Sequence, residues 1–340
     1  MNILNIDQNK LKQILVSNNF KAFSANQIFE WIYKKGILSF DEMTNLSKDL
    51  RDFLNKNFKV CSLKVKTIEL SKDEQTKKYL FELEDGYFIE SVLILSDTRK
   101  TICVSSQVGC PVRCSFCASG KKGFFRNLKA FEIVEQVLLI AKDINEKSTN
   151  IVFMGMGEPL LNFDEVVKAV KIMSDDKYLN ISQRRITIST AGILENIKRL
   201  KDENLKVYLA LSLHGATDEI RNRIIPYSKK YKLQDILKEL RLYFEKTKRD
   251  ILFEYILIES VNDSIEDAKK LVHLLKNFQC TINLIPYNEV ENLSYKRPSG
   301  VKILKFKNYL ISKGLNVVQR YTKGKDIAAS CGQLAYKRRL

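Results

Sequence analysis

The sequence predicts an α/β chain: a partial (β/α)6 barrel, preceded by a small helical domain and a β-hairpin extension. Three observations predict it. From about residue 100 onward, short β-branched runs alternate with amphipathic stretches of helical length, the pattern of βα units wound into a parallel sheet with right-handed crossovers. Between about residues 60 and 106 the apolar period is two, and Asp85-Gly86 separates two such runs as a hairpin turn does. Before residue 58 the period is helical. The expected division is therefore a helical accessory domain over 1–58, a β-hairpin linker over 59–99 and the barrel core over 100–340.

In order along the chain, Leu11, Ile14 and Leu15 keep a helical period. Ser24-Ala-Asn-Gln then opens a segment carrying Ile28, Trp31 and Ile32 on one face, with Gly36 as its stop. A third helix follows Asn45-Leu-Ser and carries Leu50, Phe53 and Leu54. Tyr79–Glu84 and Tyr87–Ile94 flank the hairpin turn, and a strand from Lys100 runs straight into a cysteine-rich loop. Helices are then expected near 130–145, 163–174, 192–203, 217–224, 232–247 and 263–277. Strands are expected at Asn150–Met154, Arg185–Ser189, Lys206–Ser212, Ile251–Ile258 and Cys280–Ile285, giving six with the strand at Lys100. In such a barrel functional residues lie at the C-terminal strand ends.

With 45% hydrophobic and 29% charged residues the composition is that of an ordinary globular protein. No apolar run approaches the roughly 18 residues of a membrane span, and the start lacks the charged and apolar regions of a secretory signal. Seven cysteines do not close into a disulfide framework, so the expected setting is cytoplasmic, with no membrane contact. The net charge of +17 points to a polyanionic partner, nucleic acid above all.

The chemistry centres on Cys110-Pro-Val-Arg-Cys114-Ser-Phe-Cys117. Thiolates suit iron–sulfur clusters and zinc alike, but structural zinc takes four ligands, usually as paired CxxC units. Only Cys114 and Cys117 form such a pair. Three thiolates on a cube leave one iron open, and this spacing resembles that of the radical S-adenosylmethionine (SAM) enzymes, in which SAM chelates that iron. Met154-Gly-Met-Gly157-Glu158-Pro159 follows the second barrel strand, where glycines allow close backbone approach and Glu158 could accept from the SAM amine. Ser189 ends the third strand, Ser212-Leu213-His214 the fourth, and Asn288 follows the sixth. Taken singly, Cys103 and Cys331 read as buried apolar residues, and Glu90 as an outward-facing strand carboxylate.

Together with Cys103-Val-Ser-Ser-Gln-Val-Gly-Cys110, Met154-Gly-Met-Gly-Glu-Pro-Leu-Leu-Asn162, Ser212-Leu-His214 and Cys331-Gly-Gln-Leu334, the chain resembles, over nearly its whole length, the dual-specificity radical-SAM methyltransferases acting on adenine C2 of 23S rRNA and tRNA. The resemblance implies a [4Fe–4S] cluster on Cys110, Cys114 and Cys117. It implies SAM, two per turnover, on Gly157, Glu158, Ser189, Ser212, Leu213, His214 and Asn288. Cys331 is implied to carry the methyl group, Cys103 to be its redox partner and Glu90 to be the proton acceptor. The implied partners are 23S rRNA, tRNA, a flavodoxin-like electron donor and a disulfide reductant, with the protein a monomer. A sister family that methylates adenine C8 shares the cysteine set, and Pro159 leans toward C2. A radical enzyme of peptides or metabolites is disfavoured by the basic balance and the Cys103/Cys331 pair. The contrasting class is a non-catalytic RNA-binding protein with a structural metal. Where the family commonly reads Asp-Ile-Asp-Ala-Ala-Cys, this chain has Asp326-Ile-Ala-Ala-Ser-Cys331, a change that bears on how the Cys331 loop is held.

Overall fold

The computed structural model describes residues 1–320 and 323–334. At the N-terminus, α1 (Gln8–Ser17) starts where the Asp7 carboxylate accepts the Lys10 N–H at 2.8 Å, the usual way of satisfying an orphan donor of the first turn. The second helix, α2 (Ser24–Phe29), runs on into a π-helical turn over Glu30–Lys34, and α3 (Lys48–Asn57) is capped by the Ser47 hydroxyl. Leu11, Leu15, Ile28, Ile32, Leu50 and Leu54 are buried.

These helices are fused to the rest of the chain. Their apolar side chains belong to one core cluster with those of the sheet and its helices, and Phe29 and Tyr33 pack on Tyr178 at ring separations of 5.6 and 4.9 Å.

Four antiparallel strands follow: β1 (Lys64–Leu70), β2 (Thr76–Glu82), β3 (Phe88–Ser96) and β4 (Arg99–Cys103). The hairpin turn lies at Asp85-Gly86 as expected, with Glu82 opposite Phe88. Next come the short β5 (Gln107–Gly109), the single turn α4 (Ala118–Lys121) and β6 (Phe124–Asn127), with β5 and β6 pairing as a separate two-stranded ribbon. The barrel proper alternates α5 (Ala130–Asp143), β7 (Asn150–Phe153), α6 (Phe163–Ser174), β8 (Ile186–Thr190), α7 (Leu194–Asp202), β9 (Tyr208–Ser212), α8 (Asp218–Ile224), α9 (Leu233–Thr247), β10 (Ile251–Leu257), α10 (Ile265–Leu275), β11 (Cys280–Pro286), α11 (Gly300–Ser312) and β12 (Val317–Gln319). The large sheet is ordered β1-β2-β3-β4-β7-β8-β9-β10-β11-β12, and β4 is parallel to β7.

The six expected barrel strands are present, and β12 adds a seventh, parallel to β11. Neither α11 nor β12 is in the sequence reading. The strand is three residues long and has no fully buried side chain, so it lacks the apolar run that marks its neighbours. It matters nonetheless, because it carries the chain back to the strand ends just before Cys331.

Glu135, buried on α5, fastens the N-terminal unit. Its carboxylate accepts from the Ser62 N–H at 2.9 Å, the Ser62 hydroxyl at 2.8 Å, the Leu63 N–H at 2.9 Å and the Asn2 side-chain amide. Burial raises its pKa and the four donors pull it back down. Glu135→Gln replaces one accepting oxygen by an NH2 group that faces donors. It is expected to destabilise the protein by about 2–4 kcal/mol, read as a lower melting temperature; an unchanged value would mean that the clamp does not stabilise the fold.

Candidate active site

The C-terminal ends of the parallel strands open on one cavity. Its wall includes Cys110, Cys114 and Cys117 on one side, Gly157, Glu158, Ser189, Ser212 and His214 across the strand ends, and Glu254 and Cys331 at the side nearest β12. All of these but Glu254 are expected from the sequence. Of the remaining expected residues, Leu213 is buried in the core and lies outside the cavity wall. Asn288 is buried beside it, its side-chain amide donating to the Cys331 carbonyl at 3.4 Å. Cys103, at the end of β4, and Glu90, on β3, lie behind the Cys331 segment, and both are buried.

Burial raises all three loop thiols, Cys110 to about 12, and at Cys114 the neighbouring Cys117 and Cys110 add to the effect. Such thiols are neutral unless a cation compensates them. No three His, Cys, Asp or Glu side chains among the described residues converge as a single-ion site requires. The three thiols instead line one shared wall, an arrangement that fits a multi-iron cluster better than zinc.

Opposite, Gly157 has φ +107°, and a Cβ there would lie 2.7 Å from the Gln107 Cβ and 2.8 Å from the Ser106 Oγ. Only glycine fits. The Glu158 carboxylate accepts from the Ala191 N–H at 2.7 Å and the Leu160 N–H at 3.0 Å. Burial lifts its pKa to about 7 against these bonds. The Ser189 and Ser212 hydroxyls are 3.4 Å apart. His214 adopts a left-handed backbone, φ +55°. Its Nδ1 accepts the Ile256 N–H at 3.1 Å, which leaves the proton on Nε2, and its ring meets Phe116 edge-on. The buried Glu254 accepts through Oε1 from Asn283 at 2.8 Å and Arg320 at 3.2 Å, while Oε2 has no hydrogen-bond partner among the described residues. An orphaned buried acceptor on the wall suits a ligand rich in N–H and O–H donors, as SAM is.

Cys331 is exposed at the cavity edge. Packing around it raises its thiol, Arg320 opposes the rise, and Glu254 adds to it. Burial, and next the Cys331 sulfur, push Cys103 up to about 12. Burial works against the charge of Arg320, but Glu254, Cys331 and Cys103 together hold its pKa above the ordinary value. The Cys331 loop is held from two sides. On the hairpin side Asp326 accepts the Lys72 N–H at 2.8 Å, and Lys78 donates to the Ile327 carbonyl at 2.6 Å while lying 3.8 Å from Glu90. On the cysteine-loop side the Ala118 N–H bonds the Gly332 carbonyl at 2.8 Å. Ala328, where the family has an acid, has φ +50°. Aspartate tolerates that region better than alanine, which is strained there by roughly 1–2 kcal/mol. The Ser330 hydroxyl, donating to the Lys323 carbonyl at 2.9 Å, adds a bond inside the loop.

Glu254 and Arg320 are absent from the sequence reading. A signal for Glu254 existed, since it is the one acid inside the apolar run Ile251–Ile258. Arg320 gave none among so many cations.

A family model described as the radical SAM superfamily matches residues 104–274, and one described as the ribosomal RNA large subunit methyltransferase N-terminal domain matches residues 1–60. The chain is 50% identical to a probable dual-specificity RNA methyltransferase RlmN 2 of Protochlamydia amoebophila, covering 100% of this chain and 96% of that protein. It is 46% identical to a probable dual-specificity RNA methyltransferase RlmN of Thermotoga neapolitana, covering 100% and 98%. The crystal structure of a radical SAM methyltransferase from Sphaerobacter thermophilus superposes with a TM-score of 0.95 at 38% identity, over 98% of this chain and 99% of that one.

His214 makes the stability of the protein acid-sensitive. Burial, and then Arg221, lower its pKa from 6.5 to about 3, so between those values the unfolded chain takes a proton that the folded one refuses. Stability is full above about pH 7 and falls by about 1.4 kcal/mol per pH unit below about 6.5. His214→Asn, which retains an acceptor for the Ile256 N–H, should remove about 2 kcal/mol of the loss between pH 7 and 5. Denaturant midpoints at the two pH values test this; equal acid sensitivity in both proteins would exclude His214 as its source.

Proposed function

Because the chain belongs to the RlmN-type dual-specificity RNA methyltransferases of the radical SAM superfamily, we propose that it methylates C2 of adenine in 23S rRNA and in tRNA through a methyl carried on Cys331. The single observation that supports this reading best is the pairing of two remote cysteines beside the cavity: Cys331 on its edge, and Cys103 close enough that the Cys331 sulfur raises its thiol.

Membership of the superfamily brings a [4Fe–4S] cluster and SAM. In this reading Cys110, Cys114 and Cys117 hold the cluster, and Gly157, Glu158, Ser189, Ser212, His214 and Asn288 hold SAM. Leu213 serves from beneath, its carbonyl accepting from Arg221 at 2.6 Å. When bound, this pair supplies the methyl group and the one-electron cleavage that activates it; an electron-poor ring carbon with no lone pair cannot take a methyl by simple polar attack. The residues of the chain do the rest. Cys331 carries the methyl on sulfur; that methyl would give up one hydrogen atom to the one-electron chemistry the bound pair supplies, and its carbon would then bond C2. As the C2–H bond breaks, its proton passes to Glu90, which has the Lys78 ammonium 3.8 Å away, and the odd electron left on the ring would return to the bound pair. The Cys103 thiolate attacks the Cys331 sulfur. The S–S bond forms, the C–S bond breaks, and its electron pair takes up a proton to complete the methyl group. The disulfide is then reduced from outside by a thiol reductant, and a flavodoxin-like protein is the proposed electron donor.

In the same reading the N-terminal unit, residues 1–58, grips RNA, and residues 59–99 carry Glu90 and brace the Cys331 loop. The same reading sets its work in the cytoplasm, with the RNA it modifies. No helix among the described residues is long and apolar enough to cross a membrane.

Two variants divide the labour. Cys331→Ala should bind RNA without carrying a methyl or forming an adduct. Cys103→Ala should still become methylated and then stall as a covalent protein–RNA conjugate, since thiol exchange needs its thiolate. Denaturing gels and mass spectrometry of the Cys331 peptide read both outcomes, and nucleoside analysis of the product reports C2. Normal turnover by Cys103→Ala would refute the resolving role, and a C8-methylated product would refute the regiochemistry.

A further inference from the structure

The β5–β6 ribbon leads into and out of the cysteine loop and ends in adjacent phenylalanines. Successive side chains of a strand point to opposite faces, so one of such a pair is normally covered. Here neither is: Phe124 is 44% and Phe125 54% exposed. Across from them, Tyr87 at the hairpin turn is 39% exposed, its ring 5.1 Å from that of Phe125. This meeting of two loops distant in sequence is built rather than incidental. Arg126 bonds both oxygens of Glu132 at 2.8 Å and reaches Asp85 in the turn itself, so one guanidinium clamps the hairpin tip to the ribbon and leaves the three rings outside.

The position is specific as well. Phe124 is in register with Gly109, and the Cys110 N–H bonds the Gly123 carbonyl at 2.8 Å, so the rings begin one residue from the cysteine loop. Tyr87 lies three residues before Glu90 on the hairpin, roughly 10 Å along a strand. The cations Arg113 and Lys122 are exposed nearby and have no ion-pair partner among the described residues. Exposed aromatic faces beside uncompensated cations match an unpaired nucleic-acid strand: bases stack on rings whatever their identity, and phosphates meet the charge. A protein partner would favour a larger continuous apolar patch without the cations.

We propose that Tyr87, Phe124 and Phe125 form a stacking platform that holds unpaired nucleotides of the substrate RNA next to the cavity. The inference rests on the RNA-methyltransferase reading above and adds to it where the strand leaves the protein. The test compares cluster-loaded wild type with the Phe124→Leu/Phe125→Leu variant, which keeps apolar bulk but loses the aromatic faces. Binding is measured by fluorescence anisotropy on an RNA hairpin with an unpaired, adenine-containing loop and on the same sequence closed into a duplex. Loop affinity should fall by about fivefold to a hundredfold for each stack lost. Duplex affinity and the salt slope should hold, because no charge is removed, and reductive SAM cleavage without RNA should continue at the wild-type rate. Tyr87→Leu should show the same loop-selective loss. Unchanged loop affinity in a variant that cleaves SAM normally would overturn the platform alone. Loss on loop and duplex alike would also overturn it, as would a wild-type dimer that the variant converts to monomer. Wild type that binds neither RNA would overturn the functional reading with it.

Discussion

Parallel strands end in carbonyls that point at the site they build, and at the ends of β8 and β9 three of them converge on one buried guanidinium. Arg221, on α8, donates to the carbonyls of Ala191 at 2.8 Å, Ser212 at 2.9 Å and Leu213 at 2.6 Å, and is wholly buried. Burial lowers its pKa only to about 10, so it stays charged at neutral pH. Each carbonyl dipole offsets part of the desolvation cost. In return the arginine fixes the relative depth of the two strand ends, and with it Ser189, Ser212 and the strained backbone of His214. The same charge faces the Cys114 thiol and favours its thiolate, so one side chain sets both the frame of the cavity and part of its electrostatics.

A second constraint operates at the far wall. Glu254, Asn283 and Arg320 stand on β10, β11 and just beyond β12, with Glu254 and Asn283 in register. Their hydrogen bonds carry order from the last strands of the sheet to Arg320, whose charge faces Cys331 and Cys103. The Cys331 loop itself makes little secondary structure; its place is defined by bonds to the hairpin on one side and to the residues after Cys117 on the other. The β-hairpin extension is thus a structural brace for a chemical group nearly 250 residues away in sequence, as the Lys78–Ile327 bond shows.

Elements with a local cause were legible in the sequence. Ser47 caps its helix, Asp85-Gly86 turns the hairpin, and each strand–helix alternation after residue 100 has its counterpart in the sheet, because period and cap are written in neighbouring residues. The cysteine loop, Gly157-Glu158 and the strand-end Ser189, Ser212 and His214 could be read for the same reason: barrel topology sends strand ends to one place. What could not be read depends on long-range contacts. The seventh strand β12 is too short to signal itself, and Arg320 is one cation among 57 until the fold sets it beside Glu254. Glu90 reads as an outward-facing carboxylate by alternation alone; only the packing of Lys78 and the Cys331 loop over that face makes it buried.

The two-sided mooring of the Cys331 loop also orders events at the ribosome. Its contacts reach back to Lys72, Lys78, Ala118 and Asn288, so none can form until the Cys331 segment itself has been made. Domains begin to fold from the N-terminus during synthesis, and here the pocket wall, the strand ends and the hairpin can all be in place while the Cys331 thiol is still untranslated. A chain cut short by a stalled or damaged message would keep most of its hydrophobic core yet lack the thiol at the cavity edge. Because Cys331 follows in sequence every element that moors it, the folded cavity is the template on which its loop settles.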